Sequence, residues 1–339
     1  MLWTLIVVCA ISFATSLLIL PRFMAFLRGA NILGIDQQKK GRPLLPSSGG
    51  LPVAFGLLAG LMLYIAANTF ILQGTVNLTV LLAASSTILI VSLVGILDDL
   101  NIRETQVKAR TGTREYRQGL RQWVKPVLSL AGAVPLMAVS AGASDVYIPF
   151  LGIVDVGIVY PLLLVPLAVV VVSNASNMLA GMNGLEAGMG FVASLGLGIY
   201  LLTAGRFEGA LISFALAGSL LAFLAFNWYP AELLPGDSLT YLIGSVFVTA
   251  VVVGNAEKFG VFIFLPWLVE ALLKLRGRFA VSSLGLLQPD GRLRGRYDRI
   301  YSLTHLFLRT GKYTERQIAV RLVLVEVVIV LAAFAIFVR

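Results

Sequence analysis

The sequence predicts an all-α, polytopic integral membrane protein with about ten transmembrane helices. Of the 339 residues, 58% are apolar and only 13% are charged, whereas soluble domains carry about a quarter charged residues. The mean hydropathy is +0.91. Apolar runs recur along the whole chain, and each approaches the ~20 residues that a helix needs to cross a ~30 Å hydrocarbon layer. This composition excludes a water-soluble enzyme.

Ten apolar runs, bounded by polar, basic, glycine or proline residues, define the predicted spans. The first run ends at Pro21-Arg22, the third ends at an acidic pair, and the fourth begins at a proline that suits the first turn of a helix. In chain order the predicted spans are 2–20, 51–72, 76–97, 126–143, 157–173, 189–204, 208–226, 239–256, 259–273 and 319–338.

The basic residues predict the orientation of these spans. Of the 26 Lys and Arg residues, 22 lie in alternate loops, which are 21–50, 98–125, 174–188, 227–238 and 274–318. By the positive-inside rule these five loops are cytoplasmic and both termini are extracytoplasmic. Because the outer connections are short, we expect residues 1–339 to form a single integral membrane catalytic domain whose active site is built from the five cytoplasmic loops.

The scarcity of cysteine and histidine limits the chemistry that is available. With one Cys and one His, the chain lacks the paired cysteines of a disulfide framework and the clusters of a zinc site, so any metal must be held by oxygen ligands. The net charge of +9 serves orientation and also suits anionic lipids or a phosphorylated substrate, and no nucleic-acid module accompanies it. We expect membrane lipid, and no nucleic acid, as a partner.

An acidic pair closes the third span. Asp98 and Asp99 directly follow the apolar run that ends at Leu97. A helix carboxyl terminus favours cations, and adjacent carboxylates repel each other, so this position does not favour stability. The pair is either an ordinary polar end to a membrane helix or the binding site of a cation or a metal-bound phosphate.

A second polar cluster follows the fifth span in a loop without Lys or Arg. On a helix Asn174 and Asn177 share a face, and Asn183 and Glu186 follow within the same block. Amide and carboxylate oxygens are the ligands that Mg²⁺ takes in proteins, and they also hydrogen-bond sugars. Helix capping would explain one asparagine, but three of them together with a glutamate favour a binding site.

Asp237 and a set of basic residues complete the candidate groups. Asp237 precedes the eighth span, where an aspartate is either a helix cap or a metal ligand. Lys125 comes directly before Pro126 at the start of the fourth span, so its ammonium lies at a helix amino terminus, where anions bind. The last cytoplasmic loop is rich in arginine and contains His305, which is either structural or a contact for a phosphate or a base.

These motifs resemble those of the polyprenyl-phosphate N-acetylhexosamine-1-phosphate transferase superfamily, glycosyltransferase family 4. The motifs occur in the family's order, and the block from Asn177 to Gly188 looks most like that of the eukaryotic and archaeal dolichyl-phosphate GlcNAc-1-phosphate transferases. The quoted segments are Leu97-Asp98-Asp99-Leu100, Asn174 to Gly188, Gly236-Asp237-Ser238-Leu239-Thr240-Tyr241, Gly34-Ile35-Asp36 with Lys39, and Ser302-Leu303-Thr304-His305.

The resemblance implies a role for each matching position. Asp237 and Asn177 would be ligands of Mg²⁺, with Mn²⁺ as an alternative, and Lys125 would hold the pyrophosphate of the nucleotide sugar. Asp98 and Asp99 would lie at the lipid phosphate, one assisting deprotonation and the other orienting Lys125. The substrate-binding residues that it implies are Asn174, Asn183, Glu186, His305, Lys39 and Arg278.

Two departures from the family pattern leave alternatives open. A polar insert, 103–119, separates the acidic pair from Lys125, which makes Lys108 a rival for the pyrophosphate contact. We favour Lys125 because it alone precedes a membrane helix that begins with proline. The segment Pro46-Ser47-Ser48 lacks the glutamate that relatives often place after the proline, so a contact from that position is not expected here.

The implied activity is transfer of GlcNAc-1-phosphate, or a related N-acetylhexosamine-1-phosphate, from a UDP-sugar to polyprenyl or dolichyl phosphate, with release of UMP. This would be the first step of lipid-linked glycan assembly for protein N-glycosylation. The implied location is the cell membrane, or the endoplasmic reticulum membrane in a eukaryote, with a cytoplasmic active site and a homodimer as assembly. The alternatives are a transporter or flippase for an anionic lipid or metabolite, and a lipid-pyrophosphate phosphatase.

Overall fold

The computed structural model describes residues 1–101, 103–109, 112–148 and 152–338, with only the backbone described for 103–109, 112–118 and 148. The described chain is predominantly helical. Its helices, numbered in chain order, are α1 (Leu2–Gly29), α2 (Gly50–Ala67), α3 (Leu78–Leu100), α4 (Val124–Ala138), α5 (Val165–Ser176), α6 (Leu185–Thr203), α7 (Phe207–Asn227), α8 (Gly236–Val253), α9 (Glu257–Ile263), α10 (Leu265–Arg276), α11 (Thr304–Leu308) and α12 (Glu315–Phe337).

The helices confirm a polytopic, mainly helical membrane protein. Within the described residues, seven helices are long and apolar enough to cross a membrane. Two further apolar helices are shorter, at Val124–Ala138 and Tyr160–Ser176. The predicted span 259–273 is divided between α9 and α10, because Pro266 lacks an N–H group and begins a new helix. The number of ten crossings therefore remains a prediction.

Within the described part of the chain, four short antiparallel hairpins connect the helices, and the sequence did not predict them. They are β1 (Leu33–Ile35) with β2 (Leu44–Pro46), β3 (Arg103–Ala109) with β4 (Gly112–Gln118), β5 (Asp145–Ile148) with β6 (Gly152–Asp155), and β7 (Leu286–Leu287) with β8 (Leu293–Arg294). The hairpin of β3 and β4 forms most of the predicted insert 103–119, with Arg103 opposite Gln118. Lys108 lies in β3, and its side chain is outside the described structure.

Helix α8 lies at the centre of the helical bundle. In α8, 83% of the residues in the most apolar stretch are buried, whereas in the corresponding stretches of α1 and α12 only 22% are buried. It packs against α2, α3, α5 and α7. The outer helices expose apolar side chains such as Trp3, Phe26 and Leu331, as expected for surfaces that face lipid. The buried position of α8 makes its amino terminus a rigid support for polar groups.

Two glycines allow close approach of helices at the amino terminus of α8. A methyl group on Gly95 of α3 would lie 2.5 Å from the Asp237 carbonyl oxygen, and one on Gly50 of α2 would lie 2.2 Å from the Ser238 backbone. These obstacles are backbone atoms, which cannot rotate away as a side chain can. The position of Asp237 therefore requires glycine, the residue without a β-carbon, at positions 50 and 95.

Replacing Gly95 with alanine is expected to displace the first turn of α8. The overpacking should cost about 1–3 kcal/mol of unfolding free energy, and activity should fall because Asp237 moves. Gly29→Ala is the matched control, since Gly29 ends α1 with open space around the added methyl. Thermal unfolding in detergent measures the effect; equal melting temperatures for the two variants would contradict the close packing.

Candidate active site

Asp237 is the centre of a hydrogen-bonded group at three helix ends. It lies in the first turn of α8, and its Oδ2 atom accepts hydrogen bonds from Lys125 Nζ at 2.6 Å and from Asn177 Nδ2 at 2.8 Å. Lys125 lies in the first turn of α4, and Asn177 is the cap at the end of α5. Helix ends leave backbone groups unpaired, so they gather polar side chains. The structure thus brings together three residues that the sequence predicted to share a site.

The two carboxylates of the acidic pair, Asp98 and Asp99, contact different partners. Asp98 Oδ2 lies 3.0 Å from Lys125 Nζ, and its Oδ1 accepts the Leu120 N–H at 2.6 Å. Asp99 accepts the backbone N–H groups of Asp237 at 2.8 Å and Ser238 at 3.1 Å. A carboxylate is stabilised at a helix amino terminus by the unpaired N–H groups and the dipole. Asp98 therefore orients Lys125, and Asp99 fixes the first turn of α8.

Two residues of α8 orient the asparagines of α5. The Thr240 hydroxyl donates to Asn177 Oδ1 at 2.9 Å, and the Tyr241 hydroxyl donates to Asn174 Oδ1 at 2.7 Å. Asn174 Nδ2 donates to the Val170 carbonyl at 2.8 Å. Both amides are therefore held in one orientation, with Asn177 presenting its NH₂ group to Asp237.

Two cavities meet at Asn177. The polar cavity, of about 230 Å³, is lined among others by Asp36, Asn177, Asn183, Glu186 and Asp237. The lysine cavity, of about 400 Å³, is lined by Gln122, Lys125, Pro126, Asn174, Asn177, Met178, Tyr241, Lys274, Phe279 and Val281. The group around Asp237 therefore lies where two separate compartments approach each other.

Lys39 and Asn183 belong to an ion-paired group beside the polar cavity. Lys39 Nζ donates to Asp36 Oδ1 at 3.0 Å and to Glu315. Asn183 Nδ2 donates to Asp36 Oδ2 at 3.1 Å, and its backbone N–H donates to Glu315 Oε1 at 2.8 Å. The loop after α1, the loop after α5 and the start of α12 are joined in this way. Asp36 and Asn183 line the polar cavity, and Lys39 holds Asp36 through their ion pair.

Glu186 has one carboxylate oxygen without a partner among the described residues. Its Oε1 atom accepts the Gly181 N–H at 2.7 Å, and its Oε2 is buried and receives no hydrogen bond from that part of the chain. The residue lines the polar cavity. A buried, unpaired oxygen is costly unless a ligand or water satisfies it, so Glu186 is suited to accept hydrogen bonds from a ligand there.

His305 and Arg278 line neither of these two cavities. His305 is 2% exposed; its Nδ1 accepts the Tyr301 N–H at 3.2 Å, so its Nε2 carries the proton and donates to the Ser282 carbonyl at 3.0 Å. Both ring nitrogens are thus used to hold the loop. Arg278 is exposed beyond the end of α10. The structure does not bring these two predicted substrate-binding residues to the site.

Comparison with known proteins identifies the family. The profile of glycosyl transferase family 4 matches residues 81–255, just over half of the chain. A protein of Saccharolobus solfataricus, provisionally named UDP-N-acetylglucosamine–dolichyl-phosphate N-acetylglucosaminephosphotransferase, is 32% identical over 86% of this chain and 84% of its own length. The chain belongs to glycosyl transferase family 4. This confirms the resemblance that the motifs indicated.

Other family 4 relatives carry the same name. The Sulfolobus acidocaldarius protein, also provisionally named, is 33% identical over 88% of this chain and 86% of its own length. The Dictyostelium discoideum UDP-N-acetylglucosamine–dolichyl-phosphate N-acetylglucosaminephosphotransferase is 26% identical over 96% of this chain and 86% of its own length. The family match contains Asp98, Lys125, Asn177 and Asp237 and ends before His305.

The residues around Asp237 fit the divalent ion that the family 4 resemblance implies. Asp98 and Asp237 supply carboxylate oxygens of the type that Mg²⁺ and Mn²⁺ prefer, and Asn177 would add its Oδ1 atom, which accepts the Thr240 hydroxyl in this structure, if its amide turned. Lys125 Nζ already bridges the two carboxylates, and one positive charge leaves this pair with a net negative charge. Among the described residues no three His, Cys, Asp or Glu side chains form a metal group. A bound ion would therefore need ligands from water and substrate phosphates.

Sequence reasoning missed several residues of this family 4 site. Thr240 and Tyr241 belong to the motif that begins at Gly236, but the resemblance implied no role for them. Their spacing of three and four residues from Asp237 puts them on its face of the helix and could have identified them. Asp36 and Glu315 both accept hydrogen bonds from Asn183, which is far from each of them along the chain, and no local pattern marks these contacts.

His305 is expected to make stability depend on pH. Burial, followed by the charge of Lys274, lowers its pKa from 6.5. The unfolded chain therefore binds more protons near this pH, and the stabilisation present above pH 6.5 is lost as the pH falls below it. The melting temperature of the wild type should fall more steeply below pH 6.5 than that of His305→Gln; equal slopes would contradict a buried neutral ring.

Proposed function

We propose that this protein transfers GlcNAc-1-phosphate from UDP-GlcNAc to a polyprenyl phosphate of the dolichyl type and releases UMP. The observation that carries the proposal is the group of Lys125, Asp98, Asn177 and Asp237 between two cavities in a family 4 chain. Relatives that match most of the chain are named for this reaction. The product would be the first sugar-bearing lipid of glycan assembly.

The proposed reaction exchanges one phosphoanhydride bond for another. An oxygen of the lipid phosphate attacks the β-phosphorus of UDP-GlcNAc, and the bond from that phosphorus to the UMP oxygen breaks. The bond between the sugar and its phosphate is not touched, so the anomeric configuration is retained. The second pKa of a phosphate monoester is about 6, so the nucleophile is already ionised at neutral pH and needs little base catalysis.

The main difficulty of the reaction is the approach of two anions. The Lys125 ammonium, held by Asp98 and Asp237, is oriented to neutralise the diphosphate and the charge that develops on the leaving UMP. We propose that Asp237 and Asn177 hold Mg²⁺, which would supply further neutralisation of the phosphates when it is bound. Asp99 fixes the turn that carries Asp237, so it acts as a positioning residue.

The cavities suggest where each substrate part binds. The polar cavity, with Asp36, Asn183 and Glu186, suits the hydroxyl and amide groups of the nucleotide sugar. A third cavity, of about 330 Å³, is lined by apolar side chains of α5, α8, α9 and α10 and suits a polyprenyl tail; we call it the apolar cavity. The lysine cavity would then receive the phosphates between these two parts.

The finer topology and assembly are part of the same proposal. We propose ten crossings, with α9 and α10 forming one of them, both termini extracytoplasmic and the active site at the cytoplasmic face. The concentration of Lys and Arg in alternate loops supports this orientation. We also propose a homodimer, and no nucleic-acid partner.

The proposal is tested by the nucleotide that is released. Purified protein in detergent, given UDP-GlcNAc, dolichyl phosphate and Mg²⁺, should release UMP and form a lipid product, and EDTA should stop the reaction. Release of UDP would instead indicate transfer of the sugar alone. Absence of any nucleotide release, together with movement of lipid or sugar across vesicles of the same protein, would establish the transporter alternative.

A further inference from the structure

Lys274 is a second buried lysine beside the proposed site. It lies near the end of α10, is 9% exposed, and lines the lysine cavity together with Lys125, Asn174 and Tyr241. Its Nζ atom donates to the Ser283 hydroxyl and to the Val281 carbonyl at 3.2 Å. The proposed function assigns no role to Lys274.

The charge of Lys274 is only partly compensated by the residues that the structure describes. The closest hydrogen bonds of the ammonium go to neutral oxygens, and Glu270 Oε1 lies farther away, at 3.6 Å. The other oxygen of Glu270 accepts the Leu303 N–H at 2.7 Å. A buried ammonium normally requires close anionic partners. An anion in the cavity would complete this environment.

The position of Lys274 relates it to the lipid substrate. The apolar cavity is lined by Leu164 to Val172 of the α5 segment, by residues 247–252 of α8 and by Leu268 of α10. The lysine cavity continues along these same three helices, at Asn174, Tyr241 and Lys274. Lys274 is six residues beyond Leu268, which is about 9 Å along a helix. A molecule with its tail in the apolar cavity would therefore bring its charged end towards Lys274.

We infer that Lys274 binds the phosphate of the acceptor lipid, separately from the diphosphate of the nucleotide sugar at Lys125; this rests on the proposed function. The two lysines line one cavity and have different partners. Lys125 is held by Asp98 and Asp237, whereas Lys274 is held mainly by neutral groups. This arrangement gives each reacting phosphate its own cation and directs the acceptor oxygen towards the donor phosphorus.

The test separates the kinetic constants of the two substrates. Lys274→Gln should raise KM for dolichyl phosphate about tenfold to a hundredfold, the range for losing a hydrogen bond to a charged group, and leave KM for UDP-GlcNAc within about twofold. Lys274→Arg should restore most of the acceptor affinity. Lys312→Gln, at an exposed lysine that lines none of the three cavities, is the control. A rise in KM for UDP-GlcNAc instead, or for both substrates equally, would overturn the inference.

Two further variants separate charge from structural support. Ser283→Ala removes the same hydrogen bond and keeps the ammonium, so KM for the acceptor should stay near that of the wild type; a rise as large as that of Lys274→Gln would assign Lys274 a structural role. Glu270→Gln removes the nearby carboxylate charge and should lower KM for the acceptor. An unchanged or higher value would contradict the charge argument.

Direct binding distinguishes failure of this inference from failure of the proposed function. If the wild type releases no UMP, the proposed function is wrong, and farnesyl phosphate binding measured by native mass spectrometry still tests Lys274. Weaker binding to Lys274→Gln than to the wild type supports the inference. Equal binding overturns it, whether or not the wild type is active.

Discussion

Replacing Asp237 with asparagine is expected to lower kcat for UMP release by about a hundredfold to a thousandfold, the range for removing one group that stabilises transition-state charge. The substitution keeps the size of the side chain and removes the negative charge that holds Lys125 and would hold Mg²⁺. The fold should be retained, because the contact of Asp99 with this turn uses the backbone N–H of residue 237. UMP release at saturating substrates measures the effect.

An aspartate in the loop between α10 and α11 provides the control for this variant. Asp290 is exposed and pairs only with Arg292 among the described residues, so Asp290→Asn should leave kcat within about twofold. The companion variant Asn177→Ala should lose activity to a similar degree while retaining its melting temperature. If Asp237→Asn and Asn177→Ala both remain active, the assignment of the metal-binding residues is wrong.

Replacing Lys125 with methionine should lower kcat by a similar factor, about a hundredfold to a thousandfold. Methionine matches the length of the lysine stem but has no charge. Asp98 and Asp237 would then face each other without the ammonium that lies between them, and the diphosphate would lose its cation. Initial rates of UMP release at several UDP-GlcNAc concentrations measure kcat and KM for the variant.

Lys108→Met is the comparison that decides between the two lysines. The position of Lys125 between two carboxylates of the site leads us to expect nearly full activity for Lys108→Met. A large loss for this variant with an active Lys125→Met would move the pyrophosphate contact to the insert 103–119. Thermal unfolding of both variants is the check that a loss of activity does not reflect a loss of folding.

The membrane helices could be predicted because their signal lies in composition. An apolar run of sufficient length leaves the helix as the only way to pair its backbone in lipid, and α3 and α7 follow the predicted runs closely. Helix α1, in contrast, continues through Pro21 to Gly29, beyond the predicted end at residue 20. The division between α9 and α10 was missed because the run is continuously apolar through Pro266. The hairpins were missed because strands as short as β7 and β8 have no measurable periodicity.

Part of the site was also accessible from the sequence. Polar residues at the ends of membrane helices on one side must lie near one plane, which brings Lys125, Asn177 and Asp237 together. The different partners of Asp98 and Asp99 could not be predicted in this way. Neighbouring residues on a helix point about 100° apart, and the partner of each depends on how α4 and α8 pack against α3.

The position of His305 depends on how the last loop folds. The loop around His305 is rich in arginine, which predicts exposure to solvent. The imidazole ring is instead buried between the Tyr301 amide and the Ser282 carbonyl. These are backbone groups, and backbone partners leave no trace in residue types. The contact between the Asp36 and Asn183 side chains could not be predicted for a different reason, because 147 positions of the chain separate them.

The fate of the β-phosphorus tests the central claim most directly. Purified wild-type protein is given UDP-GlcNAc labelled with ³²P at the β-phosphate, together with dolichyl phosphate and Mg²⁺, and the lipid and aqueous phases are counted. Transfer of GlcNAc-1-phosphate predicts that the label enters the lipid product while unlabelled UMP accumulates in equal amount. Label that remains in the aqueous phase as UDP, while GlcNAc appears on the lipid, would contradict the account.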